Sequence, residues 1–378
     1  MNSGLVVNRY LLLGLILCFS LVNLVFGTIA LVLYIAFAHR LVIPNKDRLV
    51  IFWIVVIKYI WIIFVHLVFA SRSLTDISVI FSIDLIILIM TFLIVSQQSI
   101  KWLLLPCIVL FIIDFSFNVS TVVFGSDPFG RSGGLRPGDI MTRLGGLFNS
   151  TMYSLGISTL GIFCGLFMRK KWLVALGLFG LLINGTQRAP LIAILILVNF
   201  IFLKMRLKLF WIVCASIVFA SLVVLVTVYS AAQSGFFIDE DVFVTGNALR
   251  VVAWTNALEK IGQSPLFGYH NSLVGAFESM GVETVIDYGI AEAPYLQTAL
   301  DFGIFPAFLS YYLLYRIARI CVTDYYLNPN SHVNQTRALI SCVMFADHFY
   351  SELYGTFVLT FVFGLICLGY RDDGEVVN

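Results

Sequence analysis

The sequence predicts an all-α polytopic membrane protein with about 11 (10–12) transmembrane helices and one large external loop containing short amphipathic helices. Three observations carry that prediction. Hydrophobic residues make up 60% of the chain and charged ones 12%, with a mean hydropathy of +0.98, which excludes a soluble globular domain. Apolar stretches of about 18 residues or more recur along the whole length, the signature of helices that cross a bilayer. One long polar interval, 233–293, interrupts them and carries eight acidic residues against two basic ones, Arg250 and Lys260. The net charge of +2 implies nothing about nucleic acid, and no nucleic-acid partner is expected. Seven cysteines lie in or beside apolar spans without a CxxC, so neither a disulfide framework nor a metal site is indicated.

Three regions follow: N-terminal transmembrane helices (1–231), the external loop (232–293) and C-terminal transmembrane helices (294–378). The first apolar run, 10–38, follows a single Arg9. It is longer than a signal-peptide core and lacks a clear small-residue cleavage site, so it is expected to be retained. It is either one tilted helix or a tight pair broken near Asn23, and the side of the N-terminus depends on which. Further spans fall at 49–70, 76–95, 101–124, 146–167, 172–184, 189–203, 209–231, 294–315, 338–350 and 353–370. Alternating sides places fourteen Lys and Arg residues on one face and eight on the other. The richer face is cytoplasmic by the positive-inside rule, which makes the acidic loop external.

Two pairs of spans are short. Trp172–Asn184 has 13 residues and Ala189–Leu203 has 15, joined by Gly185-Thr-Gln-Arg188. Thirteen helical residues reach about 20 Å, against a hydrocarbon thickness of about 30 Å. One continuous helix would put Arg169–Lys171 and Lys204–Lys208 on opposite sides, against the charge rule. A hairpin is expected instead, its tip recessed below the outer surface, with Gly185 and Pro190 suiting a break that lines a cavity. The second pair, 338–350 and 353–370, carries Asp347, His348, Tyr350 and Glu352 at a tip on the same outer side. Two recessed polar tips imply a cavity there.

Candidate functional residues cluster on this outer side. Arg188 is a charge below the membrane surface, hence a functional-site hypothesis, and its planar fork suits phosphate oxygens. The alternative is a structural salt bridge to Asp347 or Glu352. The loop Gly125–Arg143 keeps Arg131, Arg136 and Arg143 on the side the charge rule disfavours; an anionic ligand or lipid headgroups would each explain that. In the long loop, Asn247 caps a helix expected to run to Ile261, with Gly262 as its stop and Pro265 beyond. Val251, Trp254, Leu258 and Ile261 form its apolar stripe. Arg250 and Trp254 are i, i+4 neighbours, so the indole would hold the guanidinium for an anion; the alternative is an ordinary solvated charge. Glu292, two residues before Pro294, stands at a low-dielectric boundary where a carboxylate can serve as general base, or simply favour a helix dipole. His270 and His348 are weaker candidates, since a lone His is usually structural. Lys58, Asp84 and Asp114 lie mid-span; they would form a buried pair holding helices together, or a proton or ion relay as in a transporter.

Three motifs in order resemble a family. Gly185-Thr-Gln-Arg188-Ala-Pro is similar to the T-x-S-R-G segment of the bacterial O-antigen polymerase (Wzy-type) and O-antigen ligase superfamily. Arg250-x-x-x-Trp254 followed by Ser264-Pro-Leu-Phe-Gly268 resembles its R-x-x-x-W … P-L-x-G loop. Glu292-x-x-Tyr295-Leu-Gln297, then Asp301-Phe-Gly303-Ile304, resembles its entry into the following helix. The resemblance implies transfer of an undecaprenyl-pyrophosphate-linked oligosaccharide at the periplasmic face of the bacterial inner membrane, with no cofactor or metal. Arg188 and Arg250 would bind the donor pyrophosphate and stabilise it as it leaves. Glu292 would be the catalytic base, with Arg131, Arg136, Arg143, Trp254, His270, Tyr295, Asp347 and His348 lining the substrate site. A chain-length regulator and a flippase would be partners. Glu292 stands where the ligases have His, which points to a polymerase, and Gln187 replaces the usual Ser. The expected function is a surface-polysaccharide polymerase; the alternatives are a ligase moving glycan onto lipid A core, or a transporter using Lys58, Asp84 and Asp114.

Overall fold

A computed structural model describes residues 10–16, 18, 29–30, 33–34, 46–69, 95–130, 144–147, 151–185, 188–233, 246–268, 294–347 and 370–371. They are helical almost throughout. In chain order the helices are α1 (Lys46–Phe69), α2 (Gln97–Phe124), α3 (Thr151–Phe167), α4 (Lys171–Ile183), α5 (Arg188–Lys204) and α6 (Leu209–Gln233). After them come α7 (Gly246–Gln263), α8 (Pro294–Phe302), α9 (Ile304–Leu327) and α10 (His332–Asp347). The sole sheet among the described residues is a two-residue parallel bridge, with Val95 opposite Tyr370 and Ser96 opposite Arg371. It sets Tyr370 and Arg371 beside the start of α2.

Several spans sit where hydropathy places them, and the exceptions have physical reasons. The stretch expected as one span over 294–315 is two helices, broken at Gly303 and continued to Leu327. Gly303 has φ 93° and ψ 172°, a conformation open to glycine almost alone, so hydropathy is blind to the break. α10 begins at His332 rather than near 338, because its polar first turns are held by protein partners: Arg337 donates to Asp324 Oδ2 and Asn334 Oδ1, each at 3.0 Å. The span expected from 146 does not start there as helix: residues 144–147 form a turn, and α3 is described from Thr151. The spans 76–95 and 353–370 and the break near Asn23 lie outside the described residues.

Helix direction alternates, giving the bundle two distinct ends. At one end Arg169, in the α3–α4 turn, donates to His332 Nδ1 at 2.6 Å, and the Tyr326 hydroxyl donates to the Leu207 carbonyl in the α5–α6 turn. These two turns share one construction. Arg169 (φ 57°) and Arg206 (φ 51°) adopt the left-handed conformation, and the next N–H reaches back five residues, Lys170 to Gly165 and Leu207 to Phe202. That is a Schellman-type stop, which satisfies carbonyls the helix end would otherwise leave open. Lys170, Lys171, Lys204 and Lys208 flank the same turns, so this is the basic end. The opposite end carries Asn184 and Gly185 after α4, the start of α5, Asp347 of α10, and α7 and α8.

α10 is the core of the bundle. It packs against α3, α5, α6 and α9, and Val333–Ala346 are buried except for the partly exposed Gln335. α3 and α4 meet backbone to backbone through glycines: a Cβ at Gly165 would lie 2.7 Å from the Val174 nitrogen, and one at Gly177 2.8 Å from the Ile162 nitrogen. Gly161 accepts the flat side of the Phe111 ring from α2. Small residues allowing such close approach are the usual means of holding apolar helices together where burial alone gives no drive. α1 runs antiparallel to α9, with Asp47 bonded to Arg316 at 2.8 Å near one end and the Trp61 indole donating to the Phe302 carbonyl at 3.0 Å towards the other.

Apolar side chains cover the outside as well as the core. Trp53, Ile60 and Leu67 on α1, Val122 and Phe124 on α2, and Phe210, Val218 and Leu225 on α6 are all exposed. Among the described residues, Lys46–Val68 and Ile100–Phe124 are each long and apolar enough to cross a bilayer, with mean hydropathies of 2.4 and 2.1.

Candidate functional site

The end opposite the basic turns is built from three pieces of chain that lie far apart in sequence. The first is the 184–188 break. α4 stops at Ile183, Asn184 follows, and Gly185 turns the chain with φ 74° before α5 starts at Arg188. The break expected from the sequence is therefore present, and Arg188 occupies the first position of α5. Its backbone N–H falls among the groups a helix start leaves without an intrahelical partner.

The second piece is the turn 144–147, which immediately follows the arginine-bearing loop. The Leu144 N–H donates to the Asn184 carbonyl at 3.2 Å, and Asn184 Nδ2 returns a bond to the Leu144 carbonyl at 3.5 Å. Arg143 is peptide-bonded to Leu144, so the end of that loop is tied to the 184–188 break. The turn is anchored from beneath by Asp114 of α2, which is fully buried. Its Oδ1 accepts the Leu147 N–H at 2.8 Å, and its Oδ2 accepts the Ser154 hydroxyl at 2.9 Å and Asn118 Nδ2 at 3.4 Å. Asp114 thus holds a turn, and its partners among the described residues are a backbone N–H, a hydroxyl and an amide. Lys58 is also buried, and Asp84 lies outside the described residues.

The third piece joins the two remaining motifs. α7 carries Arg250 and Trp254 and packs on α6 and α8. Its inward side is Ala257 and Ile261, with Trp254 half-buried; Leu258, expected in the apolar stripe, is exposed. Pro265 cannot continue the helix, and the Ser264–Gly268 segment then docks on the α8–α9 break. The Ile304 N–H donates to the Pro265 carbonyl at 2.9 Å. A Cβ at Gly268 would lie 2.6 Å from the Leu300 carbonyl oxygen, and one at Gly303 would fall on the Leu266 carbonyl. Both glycines are therefore required by backbone approach. Around the junction, Phe267 stacks flat on Trp61 at 5.8 Å and Phe305 meets the same indole edge-on at 5.2 Å. Gln297 donates to both oxygens of the buried Asp301 at 3.0 and 2.9 Å, which stiffens α8.

Of the residues singled out from sequence, Arg188, Arg250, Tyr295 and Asp347 have described backbone, all in helices reaching this end, and Trp254 is described in full. Glu292, Arg131, Arg136, Arg143, His270 and His348 lie outside the described residues. The anchors Asp114, Asn118, Ser154 and Asn184, and the Trp61 clamp, were missed as parts of the site. A mid-span Asp followed four residues later by Asn was the available signal for the first two. Among the described residues no cluster of His, Cys, Asp and Glu has metal-ligand geometry. No curated protein matches the chain. A family model does: residues 172–311, from α4 into α9 and so taking in the Arg188 break, α7 and the docked Ser264–Gly268 segment, match the family described as O-antigen ligase, in line with the O-antigen polymerase and ligase superfamily that the three motifs resemble.

Proposed function

We propose that the protein is a multi-pass membrane glycosyltransferase that polymerises surface polysaccharide. It takes a glycan from undecaprenyl pyrophosphate at the periplasmic face of the bacterial inner membrane and transfers it to a hydroxyl of a lipid-linked repeat unit. The observation that supports this reading is that the described parts of all three family-like motifs lie at the same end of the bundle, opposite the basic turns. Attack by the acceptor hydroxyl at the anomeric carbon forms the new glycosidic bond and breaks the bond to the pyrophosphate, with inversion. Arg188 and Arg250 bind the pyrophosphate and offset the charge that develops as it departs. Arg131, Arg136 and Arg143 extend the cationic surface, and Trp254 and Tyr295 contribute aromatic faces to sugar or guanidinium. Glu292, just ahead of α8, accepts the acceptor's proton. His270, Asp347 and His348 complete the substrate site. A chain-length regulator and a flippase are the proteins such an enzyme would work beside.

The exposed apolar belt on α1, α2 and α6 supports a bilayer setting, with the basic turns inside by the positive-inside rule. About eleven spans, counting the predicted ones outside the described residues, remain the expected architecture. A second reading has its own support: the matching family model is described as a ligase, so transfer onto lipid A core uses the same donor and the same arginines.

The deciding experiment is the surface-glycan banding pattern of a deletion strain complemented with wild type, Arg188→Ala or Arg250→Ala. Polymerase function predicts that deletion and both variants leave core carrying one repeat unit. Long glycan accumulating on the carrier lipid, with none on the core, identifies a ligase. A normal ladder from both variants refutes the arginine mechanism.

A further inference from the structure

We propose that Asp114 is a positioning residue for donor binding: from inside the bundle it holds the 144–147 turn, and through the Leu144–Asn184 bond that turn fixes the break from which Arg188 emerges. The inference rests on the function proposed above, which it deepens.

Two features of the geometry separate this role from simple packing. Asp114 lies on α2, yet one of its oxygens is committed to a backbone N–H in the turn, 33 residues on. Its other oxygen is held in place by Ser154 and Asn118, and Asn118 Nδ2 also grips the Ser154 hydroxyl at 2.6 Å. A carboxylate restrained by two neighbours is a fixed point, and a charged acceptor makes the stronger kind of hydrogen bond. The second feature is Gly146. It has φ 58°, and any Cβ there would collide with Asp114 Oδ1, so the turn is shaped to sit directly on the carboxylate. The turn also exchanges two bonds with Asn184, the residue after α4. The 144–147 turn and Asn184 at the end of α4 are thereby tied to one buried side chain.

The test uses the full-length protein in nanodiscs, comparing wild type with Asp114→Leu, Asp114→Asn, Gly146→Ala and Arg188→Ala. Gly146→Ala pushes the turn off the carboxylate while leaving Asp114, Ser154 and Asn118 in place, and so carries the test should Asp114→Leu fail to fold. Two readouts are taken: amide hydrogen exchange over 144–147 and 184–188, and steady-state chain extension with a lipid-pyrophosphate-linked repeat unit. Asp114→Leu and Gly146→Ala are expected to speed exchange at both segments while leaving α9 and α10 protected. Both should raise the donor KM about tenfold with kcat changed less than about threefold, the pattern of lost donor binding. Asp114→Asn, which still accepts the Leu147 N–H, should recover most of the effect. Wild-type exchange at 184–188 in both Asp114→Leu and Gly146→Ala overturns the tether. Faster exchange there with an unchanged KM overturns its role in binding. A wild-type KM in Arg188→Ala, with exchange responding as expected, strikes the proposed function instead and leaves the tether standing.

Discussion

Gly303→Ala is the most severe single-methyl change the structure offers, and its cost can be worked from the local geometry. Gly303 sits at φ 93° and ψ 172°, where an alanine is strained by about 1–3 kcal/mol whatever surrounds it. Its new Cβ would also fall on the Leu266 carbonyl and lie 3.0 Å from the Phe267 nitrogen, both backbone atoms that no rotamer change can move aside. The Ser264–Gly268 segment must therefore lift from the α8–α9 break. Lifting breaks the Ile304 to Pro265 bond, worth about 0.5–1.5 kcal/mol net, and separates Phe267 from the Trp61 face, worth about as much again. The expected destabilisation is about 2–6 kcal/mol. Gly262→Ala is the internal control: it lies in α7 with nothing within 4 Å of its Cβ, and it should be neutral or stabilising by up to about 1 kcal/mol. Reversible SDS unfolding in mixed micelles, followed by tryptophan fluorescence, compares the two. A Gly303→Ala midpoint indistinguishable from that of Gly262→Ala refutes the docking argument.

Two further outcomes follow from contacts away from the glycines. Trp61→Phe keeps a ring against Phe267 but leaves the Phe302 carbonyl without its indole donor, so the same unfolding assay should show a loss of about 1 kcal/mol, with Trp61→Leu losing about 1 kcal/mol more. At the basic end, Arg169 can only donate, so His332 Nδ1 must hold a lone pair; burial first, then the Arg169 and Lys101 charges, lower the His332 pKa below its ordinary 6.5. A lowered pKa means the unfolded chain binds the extra proton more readily. This contribution to stability is present above about pH 6.5 and is lost as pH falls below it. Unfolding midpoints measured down to pH 5 should fall in wild type and fall less in His332→Ala; equal slopes would exclude His332 as the titrating group.

The fold was legible wherever hydropathy alone decides it. α1, α2, α4, α5 and α6 follow apolar runs whose ends are marked by lysine, arginine or a Gly-containing turn, and each sits within a few residues of the expected bounds. What hydropathy could not show was satisfaction of polar groups by distant chain. α10 reads as polar through its first turns, yet Arg337 there is 5% exposed, because Asp324 and Asn334 receive its guanidinium. The α8–α9 break was hidden for the opposite reason, since Phe302, Ile304 and Phe305 keep the run apolar straight through a chain reversal in dihedral space.

For the candidate site, the motif arginines were legible because charge is rare and conspicuous in such a chain, while their supports were not. Asp114 looked like a partner for a cation because a mid-span carboxylate most often needs one; its actual partners are an amide, a hydroxyl and a backbone N–H. That choice has a mechanical consequence. An ion pair would join two side chains and leave the backbone free, whereas a carboxylate bonded to the Leu147 N–H fixes main chain, and main chain is what the neighbouring Leu144 passes on to Asn184. The Ser264–Gly268 junction works on the same plan, locking main chain to main chain through Gly268 and Gly303 so that α7 and α8 keep a constant relation. Arg188 and Arg250 thus belong to two separately fixed frames, one resting on Asp114 and one on the Trp61 clamp. If both arginines grip one pyrophosphate, loosening either frame weakens donor binding by itself, and loosening both adds little once the two-handed grip is lost, a non-additivity that an Asp114→Leu/Trp61→Leu double-mutant cycle would measure.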